Sequence, residues 1–197
     1  MGRKIVQEER RLQIIEALYA CLLKKPFKET SIKDIARAAG VNHGVLHYYF
    51  TGKEEILLTF LDHVILKYKT DFYEYMAAHT TAESTPRQVV SQMFNFVNHR
   101  ITLDRRLSRI FVEIWEIGLY DKKVRSKLRT VYEEWIEAAR EVIMRAVKNE
   151  TLARRMSVSL VAFLEGMAML SVILEPTQAE SAETLAAFQK RIIDMLG

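Results

Sequence analysis

The sequence predicts an all-α protein, and three observations carry that prediction. Apolar residues recur at three- and four-residue spacing along nearly the whole chain, and no strand-length alternating segment interrupts them. Only seven glycines and three prolines punctuate 197 residues, while 27% are charged and 49% hydrophobic. That balance suits helices with one face in a core and one in water. Cap residues stand where the periodic stretches begin: Ser31, Asn42, Thr51, Thr85, Asp104, Asp121, Thr151 and Ser181.

Taken in order, Gln7 to Leu23 forms the first helix, with Leu12, Ile15, Tyr19 and Leu22 on one side. Ser31 and Asp34 have capping-box spacing, and Ile32, Ile35, Ala36 and Ala39 give a narrow apolar face. Gly40 suits the left-handed residue that ends such a helix, and Val41 can pack back under the turn. Asn42 caps a second helix of about two turns. Val45, Leu46 and Tyr49 can turn inward there and Phe50 plugs the gap, leaving Asn42, His43, Gly44, His47 and Tyr48 outward. Thr51 and Glu54 form another capping box, opening a long helix from Lys53 to His79 with Ile56, Leu57, Phe60, Val64, Tyr68, Phe72 and Tyr75 on its apolar face. After a polar linker, Thr85-Pro86-Arg87-Gln88 opens the next helix with Pro at its first position. Helices follow at 86–103, 105–119, 122–148, 152–174 and 181–196, with Pro176 stopping the penultimate one. The count is nine helices.

Charge is unevenly spread. Residues 1–53 hold ten Lys or Arg against five Asp or Glu, and the remainder nineteen against twenty. The surplus at one end favours a polyanionic partner there. Cys21 is the single cysteine, so no intrachain disulfide forms and a reducing, cytoplasmic setting fits. Met1 to Glu9 is polar and reads as no signal peptide. Met156 to Leu174 is nearly long enough to span a bilayer, but Glu165 at its centre costs roughly 2.5–3.5 kcal/mol there. A helix buried on most of its circumference is the better reading, with no membrane partner.

The stretch from Thr30 to Lys53 resembles the DNA-binding domain of the TetR family of bacterial repressors. The match runs through Ile35, Ala36, Ala39, Gly40, Val41, Gly44, Leu46, Tyr49, Phe50, Lys53 and Leu57. It departs at Asn42, where Ser is usual, and at His47, where Tyr is usual. The resemblance implies a three-helix helix-turn-helix head at 1–52 and a six-helix ligand-binding and dimerisation bundle at 53–197. It implies a cytoplasmic, ligand-responsive transcriptional repressor, acting as a homodimer on double-stranded, palindromic operator DNA and released by a small-molecule effector. Thr30, Ser31, Lys33, Tyr48 and Lys53 are then expected on phosphates, and Asn42, His43, Gly44, Val45 and His47 at base edges.

The bundle is expected to enclose the effector between Met93, Phe94, Phe111, Trp115, Tyr132, Trp135 and Glu165, with Glu116 a second polar candidate. The runs F-V-E-I-W-E-I-G and F-L-E-G-M-A-M-L are similar to the branch that includes choline-responsive repressors, and aromatic rings with a carboxylate suit a cation. Val158, Val161, Leu164, Ala168 and Leu174, with Leu185, Phe188, Ile192 and Leu196, are expected to meet a second subunit. His43 and His47 have a spacing that can ligate zinc, yet no H-E-x-x-H pattern or neighbouring ligand accompanies them. The expectation is no metal, no cofactor, no catalytic residue and no enzyme. The rival reading is a helical small-molecule binding protein that never touches an operator.

Overall fold

The computed structural model describes the backbone of residues 2–194 and the side chains from residue 6 onward. Among these residues the chain is helical, with nine α-helices: α1 Gly2–Leu22, α2 Ile32–Ala38, α3 His43–Tyr49, α4 Lys53–His79, α5 Pro86–Val97, α6 Arg105–Tyr120, α7 Lys122–Val147, α8 Glu150–Ile173 and α9 Gln178–Asp194. Leu196 lies outside the described residues. Two compact units are formed, one from Met1–Leu66 with Glu113–Leu128, the other from Lys67–Val112 with Arg129–Gly197.

In the first unit α1 supplies the wall. Ile14 and Leu18 are fully buried, with Ile15, Ala17, Cys21 and Leu22 beside them, whereas Leu12 is exposed. The buried stripe is therefore turned from the expected one, because two adjacent rows of α1 are covered instead of one. Ile35, Leu46, Phe50, Ile56, Leu57 and Leu61 complete this core. Tyr19 stacks on Phe60 with ring centres 6.1 Å apart, and Lys127 pairs with Asp62 at 2.6 Å.

The second unit is built around Phe72, Val90, Met93, Phe94, Phe96, Ile143, Ala153, Leu160, Leu164 and Leu185. Phe188 of α9 stacks on Phe163 of α8 with centres 3.6 Å apart. The helix expected over 86–103 is α-helical only to Val97. It then widens into a π-turn over Asn98–Thr102, where Leu103 N–H reaches Asn98 O at 3.1 Å. Within this turn Asn98 is buried and its Oδ1 has no partner, although its Nδ2 donates to Gln189 Oε1 at 3.4 Å.

Two expected caps move. Asn149, not Thr151, caps α8 by accepting from Leu152 N–H at 2.9 Å. Thr177, not Ser181, caps α9 in a reciprocal pair with Glu180, while Ser181 is buried inside the helix with its hydroxyl unpartnered. Asp104 and Asp121 cap α6 and α7 as expected. Glu175 takes a left-handed φ of 49° just before Pro176, closing α8 without a glycine.

The reading of α8 as buried nearly all round is corrected. Ala153, Ser157, Leu160, Leu164 and Ser171 form one covered stripe, and Leu152, Val158, Leu170 and Ile173 stand exposed. By length and composition alone this helix could cross a membrane.

Candidate functional site

The helix-turn-helix is fixed by short-range hydrogen bonds. Ser31 Oγ accepts from Asp34 N–H at 3.2 Å and the Asp34 carboxylate accepts from Ser31 N–H at 2.9 Å. Lys25 adds an ion pair at 2.8 Å. Together the ammonium and Ser31 hold the Asp34 carboxyl well below the usual carboxylate range. Gly40 supplies φ +63° for the turn, and Val41 N–H returns to Ala36 O at 3.0 Å. Asn42 Oδ1 then accepts from Val45 N–H at 2.8 Å and starts α3.

Leu46 is the anchor of α3, fully buried, and Phe50 is 1% exposed behind it. From α1, Arg11 lies over the Phe50 ring at 4.1 Å and donates to Tyr49 O at 2.6 Å. Gln13 donates to Ala39 O at 2.6 Å. Both helices of the motif are thus held from one side. The opposite side presents Asn42, His43, Gly44, Val45, His47 and Tyr48, all exposed. Val45 points outward, not inward, because Leu46 alone fills the space beneath this short helix. A Cβ on Gly44 would make only an ordinary 3.5 Å contact with Asn42 Oδ1, so nothing inside the chain requires glycine there.

Two residues expected on phosphates are occupied elsewhere. Thr30 is 1% exposed and its hydroxyl donates to Pro26 O at 3.0 Å. The Lys53 ammonium donates to Phe27 O at 2.9 Å and Thr30 O at 3.0 Å, and sits 4.6 Å from the Phe27 ring centre. It ties down the carbonyls of the turn that precedes α2. Ser31 and Lys33 remain exposed. The cap on α4 also differs, since Glu55 in place of Glu54 accepts from Thr51 N–H and Oγ1, both at 2.7 Å. Sequence reasoning missed Glu113, whose carboxylate accepts from Phe27 N–H on the same turn. Burial pushes its carboxyl up despite that bond.

In the second unit, part of the expected pocket comes together. Phe111 and Trp135 lie 5.8 Å apart, Tyr132 and Trp135 5.6 Å in an edge-on pair. Tyr132 hydrogen-bonds the Glu165 carboxylate, and burial raises that carboxyl to about 7 in spite of the bond. Met93 and Phe94 instead belong to the main core. Trp115 and Glu116 fall in the first unit, Trp115 half-buried and Glu116 exposed, which removes the latter from any enclosed site. A groove of about 600 Å³, lined by His99, Arg105, Arg106, Glu175 and others, includes none of the expected pocket residues.

Residues 14–59 match the family of bacterial regulatory proteins named for tetR, and residues 86–196 match the C-terminal domain of BetI-type transcriptional repressors. The chain belongs to the TetR family. The regulator TtgR of Pseudomonas putida is 32% identical over 107 residues, 52% of this chain and 48% of that protein. The chain thus matches about half the length of that relative. BetI 2 of Chromohalobacter salexigens is 25% identical over 176 residues, 88% and 82% of the two chains. A TetR regulator from Haloarcula marismortui superposes with a TM-score of 0.81 at 19% identity, covering 95% and 98%. A regulator from Saccharomonospora viridis, solved in complex with choline, superposes at 0.76 and 18% identity over 93% and 96%. Both share the TetR fold.

For a TetR chain the face expected to meet a second subunit needs one revision. Leu164 and Leu185 are 8% and 2% exposed; this chain's own core consumes them. Val158 and Leu174 are exposed, while Val161, Ala168, Phe188 and Ile192 are half-buried.

Proposed function

We propose that this protein is a cytoplasmic, one-component transcriptional repressor that binds a palindromic operator as a homodimer and is released by a small-molecule effector. The exposed row on α3 carries the reading: of its six positions, Asn42, His43, His47 and Tyr48 offer hydrogen-bonding groups, while Leu46 alone is buried to anchor the helix. Asn42, His43, Gly44, Val45 and His47 read base edges in a major groove, and Gly44 allows close approach. Ser31, Lys33 and Tyr48 hold phosphates. Thr30 and Lys53 act behind them by fixing the turn before α2. The division into a head at 1–52 and a body at 53–197 is kept on this functional ground. The uncovered apolar face of α8, with Val158, Leu170 and Ile173, supports a two-fold partner.

The effector is a small organic cation. Support comes from Glu165, hydrogen-bonded to Tyr132, whose ring meets Trp135 edge-on, and from the match to BetI-type repressors. A bound cation stabilises the ionised carboxylate, so choline affinity rises with pH through about 7. Calorimetry checks this with choline on the parent, Glu165→Gln and Trp135→Ala proteins. Equal binding by all three discards the cation.

Selection of genomic DNA fragments by the purified protein tests the regulator reading. The expected outcome is a recovered palindrome, bound tightly and weakened by salt. Sequence-independent binding alone, or none, favours the helical binding protein without an operator.

A further inference from the structure

The two histidines on the outward face of α3 do more than offer separate hydrogen bonds. His43 Nε2 and His47 Nε2 lie 3.2 Å apart, with ring centres 4.4 Å apart and planes crossed at 71°. Both residues are exposed. Bonds of about 2.0–2.1 Å from two imidazole nitrogens to zinc at a tetrahedral angle place those nitrogens about 3.3–3.4 Å apart, and a square arrangement about 2.9 Å. The observed separation falls between these. The same nitrogen of each ring is already turned to its neighbour, so a small ring rotation converts the pair into a chelate.

We propose that His43 and His47 bind a divalent first-row transition ion, such as Ni²⁺, Cu²⁺ or Zn²⁺, and that the ion masks the operator-reading face. The masking half rests on the repressor reading. Without metal, the 3.2 Å contact is a hydrogen bond in the tautomer in which one ring carries its proton on Nε2 and donates it to the other Nε2. The ion takes both Nε2 lone pairs, and the displaced proton moves through water to Nδ1 of the same ring. Two coordinate bonds replace one hydrogen bond, and no net proton is released. Among the described residues no group of three or more His, Cys, Asp or Glu surrounds a common point, so water fills the other positions. A metallated ring presents no Nε2 to a base edge. Ion and operator therefore exclude each other, and the coupling runs equally in both directions. The added charge still attracts phosphates, so specific binding falls while non-specific binding does not.

The test begins without DNA. Calorimetric titration of the full chain with NiCl₂ should show one ion per chain, with affinity at least tenfold weaker in His43→Gln and His47→Gln but unchanged in His63→Gln. Parent-like affinity in the first two variants overturns the site. Operator and random-sequence DNA are then titrated with the parent protein in saturating NiCl₂ and again after EDTA. A tenfold or greater fall in operator preference, restored by EDTA, is the expected result, and an unchanged preference overturns the masking. If the metal-free parent shows no operator preference at all, the repressor reading and the masking fail together. The calorimetric result still decides the ion site on its own.

Discussion

The helix-turn-helix and the bundle of the second unit treat polar groups near a core in opposite ways. In the head, the helix caps are answered within a few residues: Ser31 by Asp34, Asn42 by Val45, Thr51 by Glu55. In the bundle, Asn98 Oδ1 and Ser181 Oγ are buried without partners, and Glu165 sits where its charge is disfavoured. The head is a preorganised surface with little left to settle on binding. The bundle carries unmet polar demand, which a ligand or a rearrangement of helices relieves.

The largest break in this contrast comes from Phe50→Ala. The ring is 1% exposed under the Arg11 guanidinium, and its loss should cost about 3–5 kcal/mol by denaturant titration. A cost under about 1 kcal/mol would show that the head is not organised around it. Glu165→Gln should act in the other direction. Its carboxyl, raised from 4.5 to about 7, keeps a proton in the native state that the unfolded chain has released. Parent stability therefore falls as pH climbs from about 4.5 through about 7. The variant should be more stable by about 1–3 kcal/mol at pH 8, with the gain fading toward pH 4.5. A pH-independent difference would place the carboxyl in water.

Ser31→Ala should lose about 1 kcal/mol, the usual worth of such a cap, and the loss should be confined to signals from the head. The smallest effect sharpens the division of labour between two lysines. Lys33→Ala should lower the salt slope of DNA binding by about 1 with no change in melting. Lys53→Ala should do the reverse, because its ammonium serves backbone carbonyls. A flattened salt slope in Lys53→Ala would return that residue to the phosphate contacts.

Legibility in the sequence followed the same boundary. The span of α4, the Ser31 and Thr85 boxes and the Asn42 cap were all readable, because each depends on residues within one turn. Errors arose where two cap-capable residues lay close together. Asn149 took the role from Thr151, although both are exposed, and Thr177 from Ser181, which is buried inside α9. The π-turn at Asn98–Thr102 left no mark in the apolar periodicity, because its buried positions, Asn98 and Thr102, are polar. Glu113 was invisible for a different reason: its partner, Phe27 N–H, lies 86 residues away. At the candidate site, the outward row on α3 was largely legible, but the inward engagement of Thr30 and Lys53 was not. A lysine at a helix start reads the same whether it faces a phosphate or a carbonyl.

Cys21 gives this molecule a clock. It is the only thiol in the chain and is buried against the head, where loss of solvent raises its pKa. A disulfide reagent can consume it only during moments when α1 lifts away. The rate of that reaction counts such openings in the unaltered protein, with no label introduced. Operator DNA that grips the head should slow the count, and the ratio of the two rates would measure how firmly the double helix holds its reader closed.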